Sequence, residues 1–252
     1  MTHFNAGGIH HAIAPILGSI RSTGIPETAH ATAHAVLPFI TLSRQAGAGG
    51  RSLAKLLAER LNRAGHGERP WECFDRELVE KIAADHRIST QLIESLETSS
   101  HTWLDEFFSG LPGDQNPSEI EIFHRVASTV RALAQAGRVI LVGCGSSFIT
   151  HKMPGGAALR LVARFEHRVA TMSRLLGLPL DQAAAEVHRL DRNRADFYKR
   201  YWPERPLTSE QFALTLNSSL LSEEQMVECV LPLVLAHGRT HAGSASFPKV
   251  PV

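Results

Sequence analysis

The chain is poor in cysteine, in net charge and in long apolar runs, and each shortage removes a class of protein. Three cysteines, Cys73, Cys144 and Cys229, are spread over 252 residues with no Cys-x-x-Cys pair. Their odd number and wide spacing argue against a disulfide framework or a zinc site and point to a reducing, cytoplasmic setting. The 26 Lys and Arg nearly balance the 25 Asp and Glu, leaving a formal net charge of +1. No global field then draws the molecule to nucleic acid or a membrane surface, so an anionic ligand needs a local site. No apolar run reaches the roughly 18 residues of a membrane span. Residues 12–20 (AIAPILGSI) are mildly apolar, but no Lys/Arg-rich stretch precedes them as it would in a signal peptide.

What is present fits one large α/β domain with an extension: 43% of the residues are hydrophobic and 20% charged. Residues 1–37 stand apart, with Arg21 and Glu27 as their two charged side chains and five of the 14 histidines (His3, His10, His11, His30, His34). His10–His11 and His30/His34 have spacings a metal can use, but the Glu and Cys partners of a typical site are missing nearby. The segment is therefore expected to be an N-terminal extension, partly helical or flexible. Residues 239–252, containing Pro, Gly and Ser, are expected to form a disordered tail. There is no internal repeat.

From residue 38 the pattern alternates. Short apolar runs predict strands at 39–43, 71–75, 138–143, 158–163 and 212–216. Arg138-Val139-Ile140-Leu141-Val142 is the clearest, continuous enough for a strand buried on both faces. Between them, amphipathic stretches predict helices from Ser52, over 76–86 and 89–97, from about Glu119 to Gln135, over 164–177 and 181–202, and over 222–237. Residues 109–118 read as a loop. The order implies a five-stranded parallel sheet flanked by helices, with ligands bound beyond the carboxyl ends of the strands.

At the first such end lies a glycine-rich turn, Gly47-Ala48-Gly49-Gly50, followed by a helix. Glycines let backbone N–H groups approach phosphate oxygens, and a helix N-terminus adds its dipole and unpaired donors. The P-loop pattern GxxxxGK[ST] is met only in part. Gln45 stands where the first glycine belongs and Arg51 where the lysine belongs, while Ser52 keeps the hydroxyl that binds Mg²⁺. Arg51 retains a permanent charge and can grip two phosphate oxygens. The other reading of the same residues is a tight strand–helix link with Ser52 as its N-cap.

Four stretches in order, Ile40-Thr41-Leu42-Ser43-Arg44-Gln45-Ala46-Gly47-Ala48-Gly49-Gly50-Arg51, Phe74-Asp75-Arg76-Glu77-Leu78-Val79, Arg138–Gly145 with Phe148-Ile149, and Leu190-Asp191-Arg192-Asn193-Arg194-Ala195, resemble the cytidylate kinase-like family. The resemblance spans about residues 38–237. It implies the P-loop nucleoside-monophosphate kinase fold with a helical lid and transfer of the γ-phosphoryl group of ATP to CMP or dCMP, with Mg²⁺. By that likeness Gly47, Ala48, Gly49, Gly50, Arg51 and Ser52 hold the donor, with Arg192 a further candidate. Ser52 ligates the metal, and Arg51, Asp191 and Arg194 act in transfer. Asp75, Lys81 and Arg125 lie near the acceptor. The chain departs from the family where Gly-Arg-Gly is common, having Gly143-Cys144-Gly145, and no carboxylate follows that strand.

Plainer roles fit many of these residues. Asp75 caps a helix starting at Arg76, the charges from Arg189 to Arg200 fall at solvated-face spacing, and Cys144 reads as a reactive thiol or a small buried hydrophobe. Two functions follow: a nucleoside-monophosphate kinase, and a non-catalytic nucleotide- or anion-binding protein that kept the fold. Small nucleotides are the expected ligands, no nucleic acid or membrane is expected as partner, and a monomer or weak homodimer is expected.

Overall fold

A computed structural model describes residues 36–64, 69–94, 96, 98–111 and 117–240, together with Ala14, Ile16 and Gly18. Strands β1 (Phe39–Arg44), β2 (Glu72–Asp75), β3 (Val139–Val142), β4 (Gly156–Val162) and β5 (Leu214–Asn217) form one sheet in the order β2-β3-β1-β4-β5. Every neighbouring pair is parallel, with Ile40 opposite Ile140 and Ala157, and Leu161 opposite Leu216. The fold class read from the sequence is thus the one found. β5 starts two residues later than expected, because Ser209–Gln211 forms a 3-10 turn and Phe212 ends it.

Strand alternation sorts the core onto two faces. Ile40, Leu42, Ile140 and Val142 face α1 (Gly50–Ala64) and the last helix, packing with Leu53, Leu57, Leu61, Met226, Val227 and Val230. Phe39, Phe74, Val139 and Leu141 face the other way, onto α2 (Arg76–Ala84), α3 (His86–Glu94), α4 (Thr98–Ser109) and α5 (Pro117–Ala136). Helix α4 has no counterpart in the sequence reading. It is held by an aromatic cluster rather than by clear periodicity: Trp103 stacks on Phe107 at 5.0 Å, and Phe107 meets Phe123 and Trp202.

After β3 come the short α6 (Ser146–Ile149) and β4, then the antiparallel helices α7 (Phe165–Leu176) and α8 (Leu180–Tyr201), turned by Gly177 at φ +68°. Helix α9 (Glu223–Thr240) closes the fold and runs two residues into the expected tail. Of residues 1–37, Ala14, Ile16 and Gly18 are helical and Ile16 is buried in the α5-side core. The five histidines of that segment, residues 241–252 and residues 112–116 of the expected loop lie outside the described residues.

At the amino end of the sheet, Glu72 opens β2 beside Arg69, and burial pushes its carboxyl up to about 7. The neutral form is favoured in the fold, so this carboxyl's contribution to stability is full below its ordinary range and is lost as pH rises through about 7. Thermal melts from pH 5 to 8 are expected to show wild-type stability falling with pH, and Glu72→Gln to flatten that slope. An unchanged slope would dismiss the carboxyl as its source.

Candidate active site

The carboxyl edges of β1, β3 and β4 converge on one cavity of about 1130 Å³. The strand order reverses at β1, which is where a crevice opens in such sheets. Each strand end leads into a backbone turn that only particular residues permit.

After β1, Gln45 continues the ladder by donating its N–H to Leu161 O at 3.0 Å, and its side-chain Oε1 accepts from Ala163 N at 2.9 Å. The residue that breaks the glycine pattern therefore ties the loop to the end of β4. Gly47 (φ +73°) and Gly49 (φ +86°) then take left-handed conformations natural to glycine. Leu53 N–H bonds to Gly49 O at 3.1 Å, so Gly49 caps α1. The N–H groups of Gly50, Arg51 and Ser52 fall in the first turn, ahead of any intrahelical acceptor, and form a ready anion seat.

Arg51 and Ser52 are exposed at this helix start. Arg51 pairs with Asp75 at 2.9 Å and approaches Glu77 at 4.0 Å. Asp75 also caps α2, accepting from Leu78 N at 3.0 Å. Of its two expected roles the cap is seen directly, and Asp75 does not line the cavity. With Arg51 71% exposed, the pair is a surface one worth about 0–1 kcal/mol, little obstacle to an arriving phosphate.

After β3, Gly143, Cys144 and Gly145 all have positive φ, +85°, +57° and +68°. A side chain at Gly143 would collide with the guanidinium of Arg44, and one at Gly50 would sit 3.0 Å from Arg44 Cγ. Two glycines therefore clear a path along which Arg44 runs from the end of β1 to the turn after β3. Cys144 is partly buried there, packed against the α5-side core at the cavity wall, and burial pushes its thiol up to about 12. That direction favours the buried-hydrophobe reading over the reactive thiol.

Arg44, Arg160 of β4 and Arg194 of α8 line the cavity together with Ser43 and Tyr198. Burial, with Arg194 next, lowers Arg44 to about 10, which still leaves it charged near neutrality. Burial likewise lowers Arg160 and Arg194. The cavity-lining residues pair as Arg51–Asp75, Arg51–Glu77, Arg76–Glu80, Lys81–Glu77, Arg168–Asp191, Arg194–Asp191 and Arg200–Glu119 among the described residues; Arg44 and Arg160 enter none of these ion pairs. Arg160 lies over the Phe212 ring, 5.5 Å from its centroid, but two cations in a sheltered cleft with no carboxylate bonded to either are costly to keep unless a ligand supplies negative charge.

Helix α8 brings Asp191 to the loop after β1. Its Oδ1 accepts from Ala46 N at 2.8 Å and from Arg194 Nη1 at 3.2 Å, and its Oδ2 accepts from Arg168 of α7. Asp191 thus meets the loop and holds Arg194 at the cavity wall, whereas Arg192 is exposed and, like Gly47, Ala48, Gly49, Gly50 and Ser52, does not line the cavity. Lys81 pairs with Glu77 at 3.0 Å and Arg125 with Glu121 at 2.6 Å, and neither lines it. Sequence reasoning missed Arg44, Arg160, Arg168 and Tyr198. Arg160 had left a signal, being a charge at the centre of an otherwise apolar run, Ala158–Ala163.

Ile122, Phe123, Val126, Trp202 and Leu207 add apolar wall to the cavity. Among the described residues no group of three or more His, Cys, Asp and Glu is placed to hold a metal, and no helix is long and apolar enough to cross a membrane.

No curated protein matches the chain. Among solved structures, an uncharacterized protein from Eubacterium ventriosum aligns over 79% of this chain and 98% of its own, at 16% identity and a TM-score of 0.59, a likeness of fold alone. A shikimate kinase from Bacteroides thetaiotaomicron aligns over the same shares at 16% identity, and its TM-score of 0.45 is too low to bear on function. The family model described as the cytidylate kinase-like family matches residues 39–220. That match runs from β1 and its glycine turn, through the arginine-lined cavity and the α7–α8 hairpin, past the end of β5, and on it the chain belongs to the cytidylate kinase-like family.

Proposed function

We propose that the protein transfers the γ-phosphoryl group of ATP to a nucleoside monophosphate, with CMP or dCMP the first acceptors to test. The observation that carries this reading is the pair Arg44 and Arg160, in no ion pair among the described residues and facing a cavity that Arg51, from the first turn of α1, also lines. Phosphoryl transfer asks for positioning and for positive charge around a dispersed negative charge, and for little covalent chemistry.

In this reading the N–H groups of 50–52 hold the donor's phosphates, and Arg51 turns from Asp75 onto them. Arg44 and Arg160 bind the acceptor's phosphate, so Arg44 supplies the charge that Cys144 cannot. Arg194, kept in place by Asp191, faces the oxygen passing between donor and acceptor. A Mg²⁺ ion carried on the phosphates of ATP would offset their charge, and the Ser52 hydroxyl fits as its one protein ligand here, water completing the set. The buried cleft strengthens each of these contacts by excluding solvent.

A second reading, a non-catalytic nucleotide or anion binder, is favoured by two observations: Asp191 already occupies the Ala46 amide, and Asp75 already engages Arg51. A coupled ADP-release assay with MgATP and each of CMP, dCMP, UMP, AMP and GMP separates the two. ADP release with CMP or dCMP is expected, with Arg51→Ala raising the KM for ATP at least tenfold. ATP binding by calorimetry without ADP release for any acceptor would establish the binder instead.

A further inference from the structure

Arg168 has no part in the reading above, yet it is the most deeply buried charge at the loop, 8% exposed. It lies on the inner face of α7 and points at α8. One guanidinium nitrogen, Nη1, donates to Asp191 Oδ2 and lies 3.4 Å from the carbonyl of Ala46. Asp191 in turn takes the Ala46 N–H. Arginine and carboxylate together therefore satisfy both the donor and the acceptor of a single peptide residue, Ala46, at the start of the glycine turn. The backbone adds a second grip, since a Cβ at Gly47 would fall on the Arg168 carbonyl. Apolar packing adds a third: Ala46 is buried with Val169 and Met172 of α7 and Ala183 and Val187 of α8.

A guanidinium buried this deeply needs a reason. Its carboxylate partner is 32% exposed, so the pair is sheltered on one side only. Replacing such a pair with apolar side chains is often neutral or stabilising, so stability alone is a weak account of it. What the arrangement does fix is the position of the glycine turn, whose left-handed residues are otherwise the freest part of the backbone.

We propose that Arg168 is a positioning residue: acting through Asp191, it clamps the α7–α8 hairpin onto Ala46 and so holds the amides of residues 47–52 in the geometry that receives the donor's phosphates. The proposal deepens the kinase reading and names a residue outside the motif for the donor half of the site. It has a directional consequence. Losing the clamp weakens the donor far more than the acceptor, because Arg44 and Arg160 stand on β1 and β4 and do not depend on Arg168.

Two measurements on the full chain test it. Hydrogen exchange of the 46–50 amides, read without nucleotide, is expected to speed at least tenfold in Arg168→Met, and to return partway in Arg168→Lys, whose single ammonium reaches Asp191 without matching the guanidinium. Calorimetry with MgATP, well below the melting temperature, is expected to show at least tenfold weaker binding in Arg168→Met. The KM for the monophosphate acceptor should change less than threefold. Asp191→Asn combined with Arg168→Met should lose little more than either alone, since both cut one linkage. Unchanged exchange of the loop amides overturns the clamp whatever the nucleotide data show. Faster exchange with no ATP binding even in the wild type sustains the clamp and overturns the kinase reading instead. A lowered melting temperature with unaltered exchange, ATP affinity and KM ratio would leave Arg168 a structural residue only.

Discussion

Arg44→Met is expected to lower kcat/KM for the phosphate acceptor by about 100- to 1000-fold, the scale on which loss of one preorganised charge contact acts in a sheltered site. The same change is expected to leave the melting temperature unchanged or raise it by a few degrees. Arg44 is largely buried, enters no ion pair among the described residues, and is held below its ordinary proton affinity, to about 10, by burial and by Arg194. Methionine fills the same path past Gly50 and against Gly143 with no charge to desolvate. Activity and stability thus move in opposite directions, as at sites where a destabilising group is kept for function. Steady-state kinetics beside thermal melts check it. Reduced stability with intact turnover would show that Arg44 serves the fold alone.

The second large effect is expected at Gly47. Its φ of +73° is unfavourable to a β-branched residue, and a Cβ there meets the Arg168 carbonyl, a backbone atom that cannot rotate away. Gly47→Val is expected to cost about 3 kcal/mol or more from strain and displacement together. For a chain of this size that lowers the melting temperature by roughly 6–12 °C. ATP binding should vanish, because the α7–α8 hairpin and the first-turn amides of α1 can no longer occupy their places together. Gly177→Ala is the control: Gly177 is also left-handed, at φ +68°, but nothing lies within 4 Å of a Cβ there, so it reports conformational strain without collision. Equal losses in the two variants would mean that the contact with Arg168 adds nothing.

The fold was legible because its signals are local. Val139–Val142 is an unbroken apolar run, the glycine turn follows β1 directly, and the helices between strands carry one apolar face each. The element that escaped, α4, has its periodicity blurred by neighbouring aromatics, Trp103, Phe107 and Phe108, which point into a cluster shared with α5 and α8. Tertiary packing decided its state, and single-residue patterns do not report that. The site divides the same way. The turn at 47–52 and the pair Asp191/Arg194 stand in short motifs and could be named as candidates from the chain alone. Arg44 and Arg160 became a pair only through the register that sets Ser43 beside Arg160 on adjacent strands. Arg168 needed the hairpin to fold back over residue 46, and no spacing along the chain encodes that meeting. Arg125 and Lys81 illustrate the converse, since each satisfies a carboxylate on its own helix four residues away.

Helix α8 is anchored unequally. Tyr201 and Trp202 at its carboxyl end sit among Phe123, Phe148 and Phe197, with Phe123 stacked 3.8 Å from Tyr201, whereas Leu180 at its amino end is largely in solvent. At 1.5 Å per residue the stretch from Tyr201 back to Leu180 is about 30 Å long, and beyond Asp191 it packs on α7 through Ala183 and Val187. A tilt of only about 5° at the aromatic fulcrum would carry the far tip some 3 Å, by simple leverage along a rod of that length. Asp191 rides near mid-arm, so half that displacement would already take its carboxylate out of bonding reach of Ala46. A swing that small, carrying α7 with it, is therefore all it would take for the hairpin to let go of the loop after β1.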